Sequence, residues 1–181
     1  DGKIAAIKFA RINKIPFLGI CYGMQMAIIE FARNKLNLKK ATSSEFDKKG
    51  LAIIGLMNEW NKDGKKIKGT DKNLGGTMRL GSYDAKLLKN SMIQKIYGKN
   101  LIKERHRHRY EVNIAFKEKF EKNGMNFSGL SPDGNLPEII ELKNHPWFIG
   151  VQFHPEFKSR PLNPHPLFSS FIKAAKSFNG K

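Results

Sequence analysis

The only cysteine of the chain, Cys21, lies in Gly19-Ile20-Cys21-Tyr22-Gly23, a G-x-C-x-G pattern between an apolar run and an amphipathic stretch. This is the pattern of a nucleophile elbow, a sharp strand-to-helix turn, with Cys in place of Ser. Such a turn leaves no room for side chains beside it, which accounts for the flanking glycines, and it holds the nucleophile in a strained backbone conformation. At the start of a helix, free N–H groups and the helix dipole favour thiolate over thiol. The Tyr22 N–H is then placed to donate to a tetrahedral oxyanion. A free cysteine is more commonly an inert buried side chain, so the elbow by itself leaves both readings open. A second cluster, Val151-Gln152-Phe153-His154-Pro155-Glu156, puts a histidine at a strand end with a carboxylate two residues on. Strand positions i and i+2 face the same way. His154 can then take the thiol proton while Glu156 orients the imidazole. Taken alone, His154 reads as a structural histidine in a turn before proline.

Other groups carry weaker signals. A single Cys excludes an internal disulfide and a Cys-based zinc cluster. His106 and His108 form an H-x-H pair without Cys or carboxylate companions at zinc spacing, so no metal is expected. Arg105–Arg109 has the look of a phosphate or RNA patch, or of salt-bridged structure. Leu74–Gly81 (LGGTMRLG) could be a Gly-rich hairpin, and Lys62–Lys72 a solvated loop.

The elements that must carry these residues follow from periodicity. Gly2–Asn13 reads as a helix, Ile15–Ile20 as a buried strand and Gly23–Leu38 as a helix with Met24, Ala27, Ile28, Phe31 and Ala32 on one apolar face. A second strand is expected over Ala52–Met57, followed by a long polar loop over Asn58–Gly76. Short helices are expected over Asn90–Tyr97 and Phe116–Gly124. Phe127–Leu130, Glu138–Leu142 and Phe148–Phe153 read as strands separated by turn chemistry at Ser131-Pro132-Asp133-Gly134 and Asn144-His145-Pro146. Pro166–Asn179 closes the chain as a helix. The helix–strand–helix order predicts one α/β unit, a mostly parallel central sheet with helices on both faces.

The chain has 181 residues, 40% of them hydrophobic, enough for a sizeable core. No apolar run approaches the roughly 20 residues of a membrane span, and the N-terminus has no signal-peptide pattern. The net charge of +17 is the electrostatic footprint of a nucleic-acid binder. Only seven of the 33 basic residues are Arg, however, and the Lys residues are scattered. The charge therefore reads as a Lys-rich solvated surface, and neither nucleic acid nor membrane is expected as a partner.

Together the G-x-C-x-G-M-Q elbow and Q-F-H-P-E resemble the class I, triad-type glutamine amidotransferases. Ile15–Asn34, Ser43–Phe46, Leu74–Gly81, Glu104–Asn113 and Val151–Pro161 resemble, in order, the glutaminase domains of the CTP synthase family. The resemblance implies a flavodoxin-like amidotransferase fold in which Cys21 is the nucleophile, His154 the general base and acid, and Glu156 its orienting carboxylate. It implies L-glutamine contacts at Tyr22, Gly23, Met24, Gln25, Glu45 and Arg109, with Arg109 suited to the α-carboxylate and Glu45 to the α-ammonium. The family usually has Leu where this chain has Tyr22.

By the same resemblance, no cofactor belongs to this domain. The full-length enzyme would use ATP and Mg²⁺, take GTP as activator, and aminate UTP in an N-terminal synthase domain of the same polypeptide, as a cytoplasmic homotetramer. Leu74–Gly81 would then belong to a lid meeting that domain and the GTP site, with Arg79 as a partner-surface residue. The chain starts without Met, and neither the synthase domain nor the family's Pro-Gly-Gly-Phe-Gly loop, which carries a second oxyanion N–H, is in it. Residues 1–181 therefore read as a glutaminase domain truncated at its N-terminus, expected to hydrolyse little glutamine alone. A non-catalytic regulatory module of the same fold and a free-standing Cys-His γ-glutamyl hydrolase are the alternatives.

Overall fold

The computed structural model describes residues 2–56 and 78–178. The expected loop over Asn58–Gly76 and the first half of Leu74–Gly81 lie outside the described residues. Helix α1 (Gly2–Ile12) leads to β1 (Phe17–Ile20), then α2 (Tyr22–Asn34), β2 (Ala41–Ser43) and β3 (Leu51–Leu56). After the gap come β4 (Arg79–Leu87), α3 (Met92–Tyr97), β5 (Leu101–His108), β6 (Tyr110–Val112) and α4 (Lys117–Lys122). The chain closes with β7 (Met125–Leu130), β8 (Pro137–Leu142), β9 (Phe148–Val151) and α5 (Pro166–Ser177). The expected helices and strands among the described residues are present with shifted ends, and β2, β4, β5 and β6 are additions.

The strands form a six-stranded sheet in the order β1-β9-β8-β7-β4-β5 and a three-stranded sheet in the order β2-β3-β6. The expectation of a mostly parallel sheet needs correction. Within the larger sheet only β1 and β9 pair in parallel, and the other pairings are antiparallel. The reason is connection length. The turns at 131–136 and 143–147 are too short for a parallel crossover, so β7, β8 and β9 must pair as hairpins. The sheet is mixed, with helices on both faces as expected.

Period-two alternation assigns each face its core. Ile140 and Phe148 point to one side, against Met24, Ala27, Ile28 and Phe31 of α2, Ile7 of α1 and Phe120 of α4. Their neighbours Ile139 and Ile149 point to the other side, with Ile93 of α3 and Leu167 of α5. Arg11 clamps α1 to α2 through two hydrogen bonds to the buried Glu30 carboxylate, at 2.8 and 2.7 Å. The long β4–β5 hairpin joins β7 through Lys86 and Leu87, and just beyond them the Leu88 N–H donates to Ser128 O at 2.8 Å. The Arg105 carbonyl of this hairpin accepts the His154 N–H at 2.8 Å.

Phe31 stacks on Phe120, ring centroids 5.7 Å apart, and both are essentially fully buried. Truncating Phe31 to Ala removes most of the bridge between α2 and α4. The expected loss is about 3–5 kcal/mol of stability, read as a lower denaturant midpoint at unchanged slope. A loss below about 1 kcal/mol would mean that the site collapses freely around the cavity.

Candidate active site

The elbow is built from backbone. Cys21 stands between β1 and α2 with φ 49° and ψ −100°. A non-glycine residue at positive φ costs of order 1–3 kcal/mol and persists only where its surroundings over-determine it. Here the Cys21 N–H donates to Val151 O at 2.7 Å, extending the β1–β9 ladder, and its carbonyl accepts from Gln25 N at 3.2 Å, opening α2. Gly19 makes the turn possible, because a Cβ there would lie 2.8 Å from the backbone carbon of Gly23. Gly23 is different. Nothing lies within 4 Å of a Cβ placed on it, so the steric reason read from sequence holds for Gly19 and not for Gly23, which opens onto free space.

His154 follows β9, whose end lies beside the end of β1. The C-terminal ends of parallel strands are where α/β sheets present their reactive groups. Strand alternation is not what joins the histidine to its carboxylate, since β9 stops at Val151. A 3-10 turn over Pro155–Phe157 does so instead, bringing Glu156 Oε1 to 2.6 Å from His154 Nδ1. A proton on Nδ1 donated to Glu156 leaves the lone pair on Nε2. That Nε2 is shielded from solvent and has no hydrogen-bond partner among the described residues. Phe157 stacks on the imidazole at 5.0 Å.

The thiol of Cys21 is half-buried, and its side-chain hydrogen bond comes from Gln152 Nε2 at 3.6 Å. Burial pushes its pKa up to about 11, and the negative charges of Glu111 and Glu156 act the same way. The Tyr22 N–H and Gln152 pull it down, less strongly. The helix start thus acts in the direction expected from sequence, but desolvation outweighs it. With its pKa raised, the Cys21 sulfur stays a thiol near neutral pH, and forming the thiolate there requires a base.

The remaining candidates lie on several elements. The Tyr22 side chain is exposed and meets Phe46 edge-on at 6.0 Å. That contact brings the 43–47 turn, with the exposed Glu45, beside the elbow. Arg109 occupies the single residue between β5 and β6, where the chain passes from the large sheet to the small one. It is half-buried, and neither Glu45 nor Arg109 has an ion-pair partner among the described residues. Met24 is fully buried in the core, so only its backbone could meet a ligand. The Gln25 side chain points inward and donates to Tyr110 O at 2.9 Å and to Gln152 Oε1 at 3.2 Å.

Behind these residues lies a buried polar network that sequence reasoning did not find. Arg79 is buried, not a partner surface. It pairs with Glu138 at 2.7 Å and with Glu111 at 3.2 Å. His106 and His108, the inward positions of the alternating β5, meet at 2.9 Å and face Glu138 and Glu111 at 3.5 Å each. Arg105 and Arg107 point outward and are exposed. Burial first, and then Arg79, hold both histidines neutral, with pKa values lowered to about 2 and about 3. One guanidinium cannot balance two buried carboxylates, and burial raises Glu111 to about 8. The alternation of Arg and His in RHRHR was the available signal for an inward histidine pair. Among the described residues no group of three or more His, Cys, Asp or Glu could hold a metal ion.

A strained Cys elbow beside a His–Glu pair on a mixed α/β sheet invites comparison with known proteins. The family model of class-I glutamine amidotransferases matches residues 1–174. The chain belongs to this family. It is 87% identical over 177 residues to a CTP synthase of Pelagibacter ubique and 61% identical over 176 residues to one of Zymomonas mobilis, matches that cover 98% and 97% of the chain. It spans about a third of the length of these relatives, 33% and 32%. Among solved structures it resembles the glutaminase domain of Trypanosoma brucei CTPS with bound acivicin, with a TM-score of 0.85 and 36% identity. That match covers 100% of this chain and 68% of the other. A glutamine amidotransferase of Thermotoga maritima, TM-score 0.51 and 12% identical over 97% of this chain and 62% of its own, shares the fold. This amidotransferase chain thus keeps the elbow and the His–Glu pair of its sequence motifs in one place.

Two measurements test this geometry. Iodoacetamide modification of Cys21 should keep accelerating with pH beyond 9, towards the raised thiol pKa of about 11. A plateau below pH 8 would contradict the burial. Gly23→Ala should fold with unchanged melting temperature, whereas Gly19→Ala should lose roughly 1–3 kcal/mol, because its new methyl meets backbone. Equal melting temperatures for the two variants would remove the distinction.

Proposed function

We propose that this domain hydrolyses L-glutamine and supplies ammonia to a synthase region of a longer polypeptide, where UTP is aminated to CTP. The observation that carries the hydrolytic reading is the elbow cysteine beside a histidine whose Nδ1 is bound to Glu156 and whose Nε2 is shielded and without a hydrogen-bond partner among the described residues. The substrate reading rests on two opposite charges that form no ion pair among the described residues: Glu45, next to the Phe46 that meets Tyr22, and Arg109, next to the Tyr110 whose carbonyl accepts from Gln25. The similarity to CTP synthases supports the final product.

The chemistry follows from the residues. The glutamine α-carboxylate pairs with Arg109 and its α-ammonium with Glu45, while the side-chain amide reaches past the open face of Gly23 to the sulfur. Backbone groups of Tyr22, Gly23 and Met24 line its path, and Gln25 supports them from within. His154 Nε2 takes the Cys21 proton, and Sγ forms a bond to the amide carbon. The oxyanion so formed accepts from the Tyr22 N–H. Collapse breaks the C–N bond, and His154 gives its proton to the leaving nitrogen, releasing ammonia and a cysteinyl thioester. His154 then deprotonates a water that attacks the thioester carbon, releasing glutamate and returning the proton to sulfur. Glu156 holds the imidazole in the tautomer that both steps need. The domain uses no cofactor of its own. In the whole protein, ATP and Mg²⁺ would activate UTP in an N-terminal synthase domain, and GTP would activate hydrolysis. The assembly would be a cytoplasmic homotetramer, and no helix among the described residues is long and apolar enough to cross a membrane.

In the full-length protein, Cys21→Ala should abolish glutamine-dependent CTP formation and spare ammonia-dependent CTP formation. Failure of free ammonia to rescue the variant would contradict the division of labour. Arg109→Ala should raise KM for glutamine by roughly one to two decades, the value of a charge-assisted contact to a carboxylate. Alkylation of Cys21 by iodoacetamide should be nearly unchanged in that variant. An unaltered KM would remove Arg109 from the substrate site.

A further inference from the structure

Gln152 is an amide in an otherwise apolar run, Phe148–Phe153, and it is completely buried. A buried carboxamide has to be satisfied at both ends, and its partners fix which way it points. The Tyr110 carbonyl can only accept, so the Gln25 amide must turn its nitrogen towards it, at 2.9 Å. That same nitrogen lies 3.2 Å from the Gln152 amide, which must therefore offer its oxygen. The Gln152 NH₂ is then left facing Sγ of Cys21, at 3.6 Å. The orientation is thus fixed from an unambiguous backbone acceptor outward and does not depend on telling amide oxygen from nitrogen.

Around the sulfur, the groups that disfavour negative charge are Glu111 of β6 and Glu156 of the 3-10 turn, together with burial itself. His154 is bound to Glu156 at 2.6 Å, and Tyr22 and Gln152 supply the opposing donors. In the mechanism above, the Tyr22 N–H turns to the substrate oxyanion once sulfur bonds to carbon. The Gln152 amide is held in place by Gln25 and stays on the sulfur.

We infer that Gln152 is a positioning residue for the nucleophile. Its amide, oriented through Gln25 by the Tyr110 carbonyl, keeps a hydrogen-bond donor on Sγ both when the thiolate forms and when it leaves the thioester. The inference rests on the reading of Cys21 as nucleophile. It also gives Gln25 its role, that of holding the Gln152 amide in one of its two orientations. Arg109 immediately precedes Tyr110, the first residue of β6, so one backbone segment seats the substrate carboxylate and sets the polarity at the sulfur.

The test uses the full-length protein, with iodoacetamide labelling of Cys21 followed by peptide mass spectrometry across pH. Gln152→Leu removes the donor. Gln152→Glu keeps the shape but turns a carboxylate oxygen towards the sulfur. Gln25→Met frees Gln152 to flip. The Leu variant should raise the apparent thiol pKa by about one unit, a roughly tenfold slower labelling on the rising limb. Glutamine turnover should fall about tenfold in kcat with KM little changed. The Glu variant should shift the pKa further, and its labelling relative to wild type should recover as pH falls and residue 152 takes a proton. Gln25→Met should move the profile the same way by less, and it decides the matter if a Gln152 variant is unfolded, which a free-thiol profile near about 8.5 reveals. Profiles superimposable on wild type would overturn the inference even in an active glutaminase, leaving hydrolysis by Cys21 untouched. A shifted profile upholds it even if the protein releases no ammonia from glutamine, in which case the hydrolytic reading falls alone.

Discussion

Everything at the site hangs on one strained residue. Cys21 holds φ 49° because β9 takes its N–H and α2 takes its carbonyl, while Gly19 lets the first turn of α2 approach the end of β1. Release any of the three and the sulfur drops back towards the core. The strain is therefore borne by the β1–β9 ladder and by the packing of α2 on the sheet. This ties the presentation of the Cys21 sulfur to the core where Met24, Ile28 and Phe31 meet Ile140 and Phe148.

The same packing creates the chemical problem that the surrounding polar groups solve. A sulfur near the core keeps its proton, and Glu156, joined by Glu111 once that group ionises, reinforces that. On the proposed reading the base must therefore be correctly tautomeric, which the 2.6 Å contact of His154 Nδ1 to Glu156 provides. Donors must also be ready for the charge that appears. Tyr22 N–H comes from the helix start, and Gln152 from a buried amide pair whose orientation is dictated by a backbone carbonyl.

The network of Arg79, His106, His108, Glu111 and Glu138 obeys a related constraint. In a water-poor interior one cation neutralises one anion. The second carboxylate is accordingly driven towards protonation, and the histidines stay uncharged. The outcome is a rigid wall joining β4, β5, β6 and β8. Its proton positions are set by burial, and it stands directly behind the backbone that carries Arg109 and Tyr110.

Much of this protein was legible without coordinates. The G-x-C-x-G elbow, the His-x-Glu spacing and the α2 stripe all depend on local geometry, and local geometry is written in consecutive residues. Helices on both faces of a sheet followed from the same patterns. The direction of strand pairing did not, because a continuous apolar strand reads the same in either sense, and short turns, not strand composition, set the hairpins. Nor could spacing reveal that Gln25 faces Gln152 rather than solvent, that Arg79 is buried against two carboxylates, or that Gly23 opens on empty space. These depend on residues far apart in the chain, 127 positions in the case of Gln25 and Gln152. The sequence alone determined which groups could do chemistry. Only the tertiary structure decided their protonation and orientation, because both are properties of the burial and partners that long-range packing creates.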